Sequence, residues 1–203
     1  MRILFIDWPC FGKVDVQFTL EQAGHEFITF FHDGYQDRIN PDFDKAFKDF
    51  VGDNTFDFCF SFNFFPIVSN SCKDLGIKYV SVIYDSPYVM LYSYALINAN
   101  NYVFMFDKQE YLKLKKGGIN TVYYCTLPVN ASIIDYLMQK PYDKDKLSAD
   151  VSFVGSLYNE DHNFFERLEN LDDYTKGYLN GIMEAQLKIQ GYNFIEDVLT
   201  PNI

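Results

Sequence analysis

The sequence lacks most of the signatures that announce a particular chemistry. Its four cysteines, Cys10, Cys59, Cys72 and Cys125, include no C-x-x-C pair, and none of its three histidines clusters with them. Neither a zinc site nor a disulfide framework is expected from that spacing. There is no G-x-G-x-x-G, no P-loop, no G-x-S-x-G, no H-E-x-x-H and no Ser/His/Asp signature. Positive charge is scarce, with 17 Lys and Arg against 28 Asp and Glu, a net charge of −11. Such a chain repels phosphate backbones, and no basic stripe opposes that repulsion, so nucleic acid is excluded as a partner. The lysine cluster Lys113, Lys115 and Lys116 falls at an expected helix C-terminus, where cations complement the helix dipole.

Long apolar runs are also missing. No stretch approaches the length of a transmembrane helix. The run Ile3-Leu4-Phe5-Ile6 is too short for a secretory leader, lacks a small-residue cleavage site and is interrupted by Asp7. A cytoplasmic location is therefore expected, with the cysteines acting as small buried hydrophobes in a reducing compartment. No internal repeat or low-complexity segment occurs.

What is abundant is apolar and aromatic. Hydrophobic residues make up 48% of 203, with 21 Phe and 16 Tyr, enough for one well-buried domain and about fifty residues besides. Short apolar runs at 3–6, 26–31, 56–62, 78–84, 102–106 and 121–125 read as buried strands. Between them lie helical patterns. Val16, Leu20 and Ala23 share one face before Gly24, and a Pro-started helix covers 41–51 with Phe43, Phe47 and Phe50 on one side. Pro66 opens a helix that Gly76 closes. Asp107 caps another, with Glu110 at the capping-box position. Repeated strand–helix alternation predicts an α/β fold, a Rossmann-like, doubly wound parallel sheet. The expected organisation is a domain over 1–140, a polar linker over 141–150, and a segment over 151–203. That segment begins with a strand at 151–154 and continues with helices near 160–170 and 173–190. One strand and two helices cannot bury a core alone, so the segment either docks on the first domain or opens a second domain of a longer protein.

In open parallel sheets, ligands bind beyond the carboxyl ends of the strands. The candidates there are Asp7 and Gly12 after the first strand, Asn63 after the third, and Asp85 and Ser86 after the fourth. The loop with Gly12 precedes a helix and reads as a phosphate cradle or, more simply, as a plain βα turn. Asp85 reads as a base or acceptor-positioning carboxylate, or as an Asx turn or cap. Asn63 orients a polar ligand or satisfies loop amides, and Asp107 reads as a cap. His25 and His32 flank the second strand and read as surface or core histidines rather than bases. Asn159-Glu160-Asp161-His162 is discounted as a metal site, because adjacent residues cannot all face one ion.

Several segments resemble the N-terminal half of bacterial CgeB-like glycosyltransferases of the spore-maturation type. They are Met1-Arg2-Ile3-Leu4-Phe5-Ile6-Asp7, Phe60-Ser61-Phe62-Asn63-Phe64-Phe65-Pro66, Tyr84-Asp85-Ser86-Pro87, Val103-Phe104-Met105-Phe106-Asp107-Lys108, and Asp150-Val151-Ser152-Phe153-Val154-Gly155-Ser156-Leu157-Tyr158. The resemblance runs from residue 1 to about 160. It implies a GT-B architecture of two Rossmann-like halves facing a cleft, the first shaping the acceptor side and the second binding a nucleotide-sugar. Asp85 would then be the catalytic base, with Asp7, Gly12, Asn63 and Ser86 as ligand-binding residues on the first half. Gly155 and Ser156 would be ligand-binding residues opening the second. The partners implied are a nucleotide-sugar, a carbohydrate or protein acceptor and a C-terminal domain, with no cofactor and no metal. The isolated chain, holding about fifty residues of the second half, is expected to be inactive. The alternative reading is a non-catalytic carbohydrate- or nucleotide-binding module whose loop aromatics (Trp8, Phe11, Phe64, Phe65, Tyr88) stack on a ligand or, more plainly, fill the core.

Overall fold

The computed structural model describes residues 1–156 and 168–199. The chain divides into two compact units, Met1–Pro141 and Tyr142–Ile203.

The first unit is built on six parallel strands: β1 (Arg2–Asp7), β2 (Glu26–Phe31), β3 (Phe58–Phe62), β4 (Tyr79–Ile83), β5 (Asn101–Met105) and β6 (Val122–Tyr124). Their order is β2-β1-β3-β4-β5-β6, and every pairing is parallel. This is the α/β, Rossmann-like doubly wound sheet expected from the sequence, each apolar run yielding one strand. The chain leaves β1 toward one edge and, after β2, crosses back to build toward the other. A right-handed crossover then puts the helices on opposite faces of the sheet. Helix α1 (Lys13–Gln22) covers one face; α2 (Pro41–Val51), α3 (Pro66–Asp74) and α4 (Lys108–Lys116) cover the other.

Two cores result. Under α2, α3 and α4 lie Leu4, Ile6, Cys59, Tyr79, Ile83, Val103, Met105 and Val122, packed on Phe43, Phe47, Ile67, Val68 and Cys72. Under α1 lie Ile3, Phe5, Phe60 and Phe62, with Val16, Leu20, Val80, Val82 and Tyr84 against them. The alternation of β1 and β3 between the two sets is the period of two that a strand buried on both faces requires. The helices start where local chemistry satisfies their first amides. The Asn40 side chain accepts from Asp42 and Phe43 before Pro41 begins α2, and Asp107 accepts from Gln109 and Glu110 before α4.

Some details differ from expectation. A helix not read from the sequence, α5 (Ala131–Met138), follows β6. Cys59 and Cys72 are fully buried, as small hydrophobes should be, but Cys10 is half-buried and Cys125 exposed. Cys125 follows β6, an edge strand that pairs with β5 alone, so nothing covers it.

In the second unit, α6 (Lys144–Leu147) is a single turn within the expected linker, α7 (Asp173–Lys188) is the second expected helix, and α8 (Ile195–Val198) is a further turn. The expected strand at 151–154 does not form. Val151, Phe153 and Val154 are 90%, 80% and 96% exposed and belong to no ladder. An apolar run becomes a strand only where a neighbouring strand takes its amides, and none does so here. The helix expected near 160–170 lies largely outside the described residues, as does His162. No helix among the described residues is long and apolar enough to cross a membrane.

Candidate functional site

A parallel sheet sends every strand's carboxyl end to one edge, and the loops there are the candidate site. The strand order reverses between β1 and β3, which makes their carboxyl ends the switch point where doubly wound sheets open a crevice. Here that crevice is occupied by Trp8. Its indole Nε1 donates to the Phe62 carbonyl oxygen at 3.0 Å, joining the loop after β1 to the end of β3. Its ring stacks on Tyr84 at 6.0 Å and meets Phe65 edge-on at 5.7 Å. Of the loop aromatics, Phe64 and Phe65 are core residues at 0% and 1% exposure, Trp8 and Tyr88 are half-buried, and Phe11 is exposed.

The residue past β3 is Asn63, buried and held at a left-handed φ of 57°. L-residues other than Asn, Asp and Gly avoid that conformation. Three hydrogen bonds hold this turn. The Ser61 hydroxyl donates to the Asn63 carbonyl oxygen at 2.6 Å, and the Tyr79 hydroxyl lies 2.6 Å from Ser61 Oγ while accepting from the Phe65 amide at 3.1 Å. These fit one donor order, from Phe65 N–H to Tyr79 to Ser61 to the Asn63 carbonyl, with every group satisfied. Burial pushes the Tyr79 phenol well up, so it stays a donor.

The Asn63 side chain then reaches β4. Its Nδ2 donates to Asp85 Oδ2 at 2.6 Å, and its Oδ1 accepts from the Tyr84 amide at 3.2 Å. Asp85, exposed at the sheet edge, is thereby fixed in orientation. Its charge also acts on Tyr84 and Tyr88. Desolvation first, then the charges of Cys10 and Asp85, push the Tyr84 phenol to about 12, and desolvation with Asp85 raises Tyr88. Next along the chain, the Ser86 hydroxyl donates to Asp107 Oδ2 at 2.6 Å, and the Ser86–Pro87 peptide is cis. Asp107 Oδ1 caps α4 at the same time. The Ser86 hydroxyl, then the cap amides, hold the Asp107 carboxyl below its usual value.

Asp7 closes β1, and Lys13 Nζ lies 2.5 Å from its Oδ2. Gly12 is the N-cap of α1 at φ 79°, and a Cβ there would stand 3.1 Å from Phe62 Cζ. The left-handed backbone favours glycine at that position, and any Cβ there would also press on the Phe62 ring.

The five predicted residues of this unit thus lie along one edge, four of them in three local pairings: Asp7 with Lys13, Asn63 with Asp85, and Ser86 with Asp107. Gly12 stands against the end of β3. Gly155 and Ser156 belong to the second unit, in the exposed segment that forms no strand. Sequence reasoning missed Lys13 and the depth of Trp8's role. A lysine six residues beyond a strand-end aspartate, across a loop with one glycine, is the signal that could have found the first.

Beside this edge, between α1 and the sheet, opens a cavity of about 450 Å³. Phe60, Phe62, Val82 and Val16 form its floor, and Phe11, Tyr84 and residues 127–130 form its rim. Among the described residues no cluster of three or more His, Cys, Asp or Glu side chains could hold a metal ion. Compared with known protein families, with curated proteins and with solved structures, the chain matches none.

Proposed function

We propose that the first unit is the acceptor-side half of a GT-B-type glycosyltransferase, which moves a sugar from a nucleotide-sugar to a hydroxyl acceptor. The observation that carries this reading is Asp85, a carboxylate exposed at the carboxyl end of β4 and oriented by Asn63 from the neighbouring strand end. In that role Asp85 takes the proton of an acceptor hydroxyl. The hydroxyl oxygen forms its bond to the anomeric carbon, and the nucleoside diphosphate leaves with the electron pair of the broken bond. Orientation and charge stabilisation in a closed cleft supply most of the rate of such a transfer, so the unit requires a donor-binding partner half.

The test is Asp85→Asn in the protein completed by that half. Asn keeps the size and one hydrogen-bonding oxygen but has no basic oxygen. A general base contributes about 10²–10⁴-fold, and turnover should fall by that range with donor affinity and melting temperature near native. Turnover within a few-fold of native would leave Asp85 as a turn residue only.

A second reading draws on residues 151–154, which are exposed and outside any ladder. On this reading the first unit is a non-catalytic module binding a carbohydrate or nucleotide. On that reading, a sugar ligand binds the native chain saturably and is recovered unchanged after long incubation with nucleotide-sugars.

A further inference from the structure

The cavity beside α1 has a composition unlike that of the sheet edge it adjoins. Its floor carries no polar side chain, since Phe60, Phe62, Val82 and Val16 supply it. Asn130, Thr19 and one oxygen of Asp15 on its wall are engaged within the protein. Asn130 Nδ2 donates to Asp15 Oδ1 at 2.9 Å, and the Thr19 hydroxyl donates to the Asp15 carbonyl oxygen at 2.8 Å. Asn130 Oδ1 accepts from the Ile133 amide at 3.2 Å. A guest there gains apolar contact and gives up the hydrogen bonds it had in water, so its buried part must be apolar. The Asp15 carboxylate, in a chain of net charge −11, disfavours an anionic guest. The volume, about 450 Å³, suits a small-molecule tail or ring rather than a protein segment.

The position of the cavity gives it meaning. Two adjacent strands run from its floor and rim directly into the Asn63–Asp85 pair, with Phe62 preceding Asn63 on β3 and Tyr84 preceding Asp85 after β4. One residue along a strand is about 3.3 Å. Successive strand residues face opposite sides of the sheet, so a molecule with its apolar end against Phe62 and Tyr84 reaches Asp85 with a head that passes over the carboxyl edge of the strands. The rim is apolar as well. Phe11 and Val129 are 87% and 74% exposed, a surface that gains from being covered.

We infer that this cavity binds the uncharged apolar tail of an amphiphilic acceptor, whose hydroxylated head is thereby delivered to Asp85. The inference rests on the proposed transferase reading and names the class of its acceptor as a neutral alkyl- or aryl-bearing alcohol or glycoside. Free sugar, having no tail, engages the edge weakly.

The experiment uses the 203-residue chain and the neutral fluorescent dye N-phenyl-1-naphthylamine. Saturable one-to-one binding is expected, with competition by dodecyl maltoside below its micellar concentration and none by maltose. Val82→Phe and Val16→Phe fill the floor and should weaken dye binding at least tenfold. Val129→Asp places a charge on the exposed rim, where it does not disturb folding, and should weaken it severalfold even if both floor variants fail to fold. Absence of saturable binding to the native chain, equal competition by maltose, or native-strength binding to Val129→Asp or to a folded floor variant would each overturn the inference. Asp85→Asn keeps the two proposals apart. Native-strength dye binding by that variant, with transfer lost in the protein completed by its donor-binding half, supports both. Dye binding with transfer undiminished removes the base and keeps the tail site, whereas absent dye binding with Asp85-dependent transfer removes the tail site alone.

Discussion

Asn63 and Asp85 are joined by one amide that works in both directions. Nδ2 donates to the Asp85 carboxylate at 2.6 Å, while Oδ1 of the same group accepts the Tyr84 amide at 3.2 Å. The residue that does this sits at φ 57°, a conformation that Asn tolerates and Ala does not. Two separable costs follow from truncation. Asn63→Ala loses the hydrogen bonds of a buried polar group and strains the backbone, for a combined loss of roughly 2–4 kcal/mol. Asn63→Gly loses the same bonds without the strain and should fall between Ala and native. Urea melts measure both, and equal midpoints for Ala and Gly would show that the backbone conformation contributes nothing.

The Tyr84 phenol gives a pH prediction with a definite sign. Desolvation raises it from 10.0 in the unfolded chain to about 12 in the folded one. Between those values the unfolded chain releases this proton while the folded chain keeps it, so stability falls as pH rises through that window. Tyr84→Phe removes one such group. Its melting temperature should fall less than that of the native chain between about pH 10 and pH 12, and parallel declines would refute the assignment.

Gly12 and Gly24 form a natural comparison. Their φ angles are 79° and 75°, yet a Cβ on Gly12 would meet Phe62 Cζ at 3.1 Å whereas one on Gly24 meets nothing within 4 Å. Alanine at either position carries the left-handed penalty, about 1–2 kcal/mol. Gly12→Ala must also move the Phe62 ring at the floor of the cavity. The loss should therefore be larger for Gly12→Ala than for Gly24→Ala by calorimetry, and equal losses would mean that Phe62 yields freely.

Which parts of this fold could be read in advance follows from the range of the interactions involved. The strands were legible because each is a continuous apolar run, α2 because Pro41 starts it, and α4 because Asp107 is local capping chemistry. The sheet edge was legible as a place, since parallel strands share their carboxyl ends. The pairings on it were not. Asn63 finds Asp85 from 22 residues away, and Trp8 finds the Phe62 carbonyl from 54, which no local pattern encodes. The run at 151–154 misled for the converse reason, because its composition fits a strand and its surroundings supply no ladder. Helix α5 escaped notice because Ile133, Ile134 and Leu137 are 40–50% exposed, and no glycine marks its end.

Trp8 allows the switch point to be watched directly, because it is the only tryptophan in the chain. Its indole bridges β1 and β3 through the 3.0 Å bond to the Phe62 carbonyl and is half-buried among Tyr35, Phe65 and Tyr84. Intrinsic fluorescence excited beyond the tyrosine band should therefore be blue-shifted, and acrylamide should quench it less than it quenches the urea-unfolded chain. Trp8→Phe keeps an aromatic ring but leaves the carbonyl without its donor, at about 1–2 kcal/mol. Trp8→Ala also removes the ring, and its loss should be larger, roughly 2–4 kcal/mol for a side chain that is only partly covered. The same probe separates two modes of ligand entry. A ligand that occupies the β1–β3 crevice must displace the indole, shifting its emission to the red and opening it to acrylamide. A ligand whose tail lies under α1 touches Tyr84 and Phe62 and leaves the indole bonded, so emission and quenching stay native while binding saturates. If the native chain is quenched as readily as the unfolded one, the indole is in solvent and the crevice is open, and the placement of Trp8 at the switch point fails.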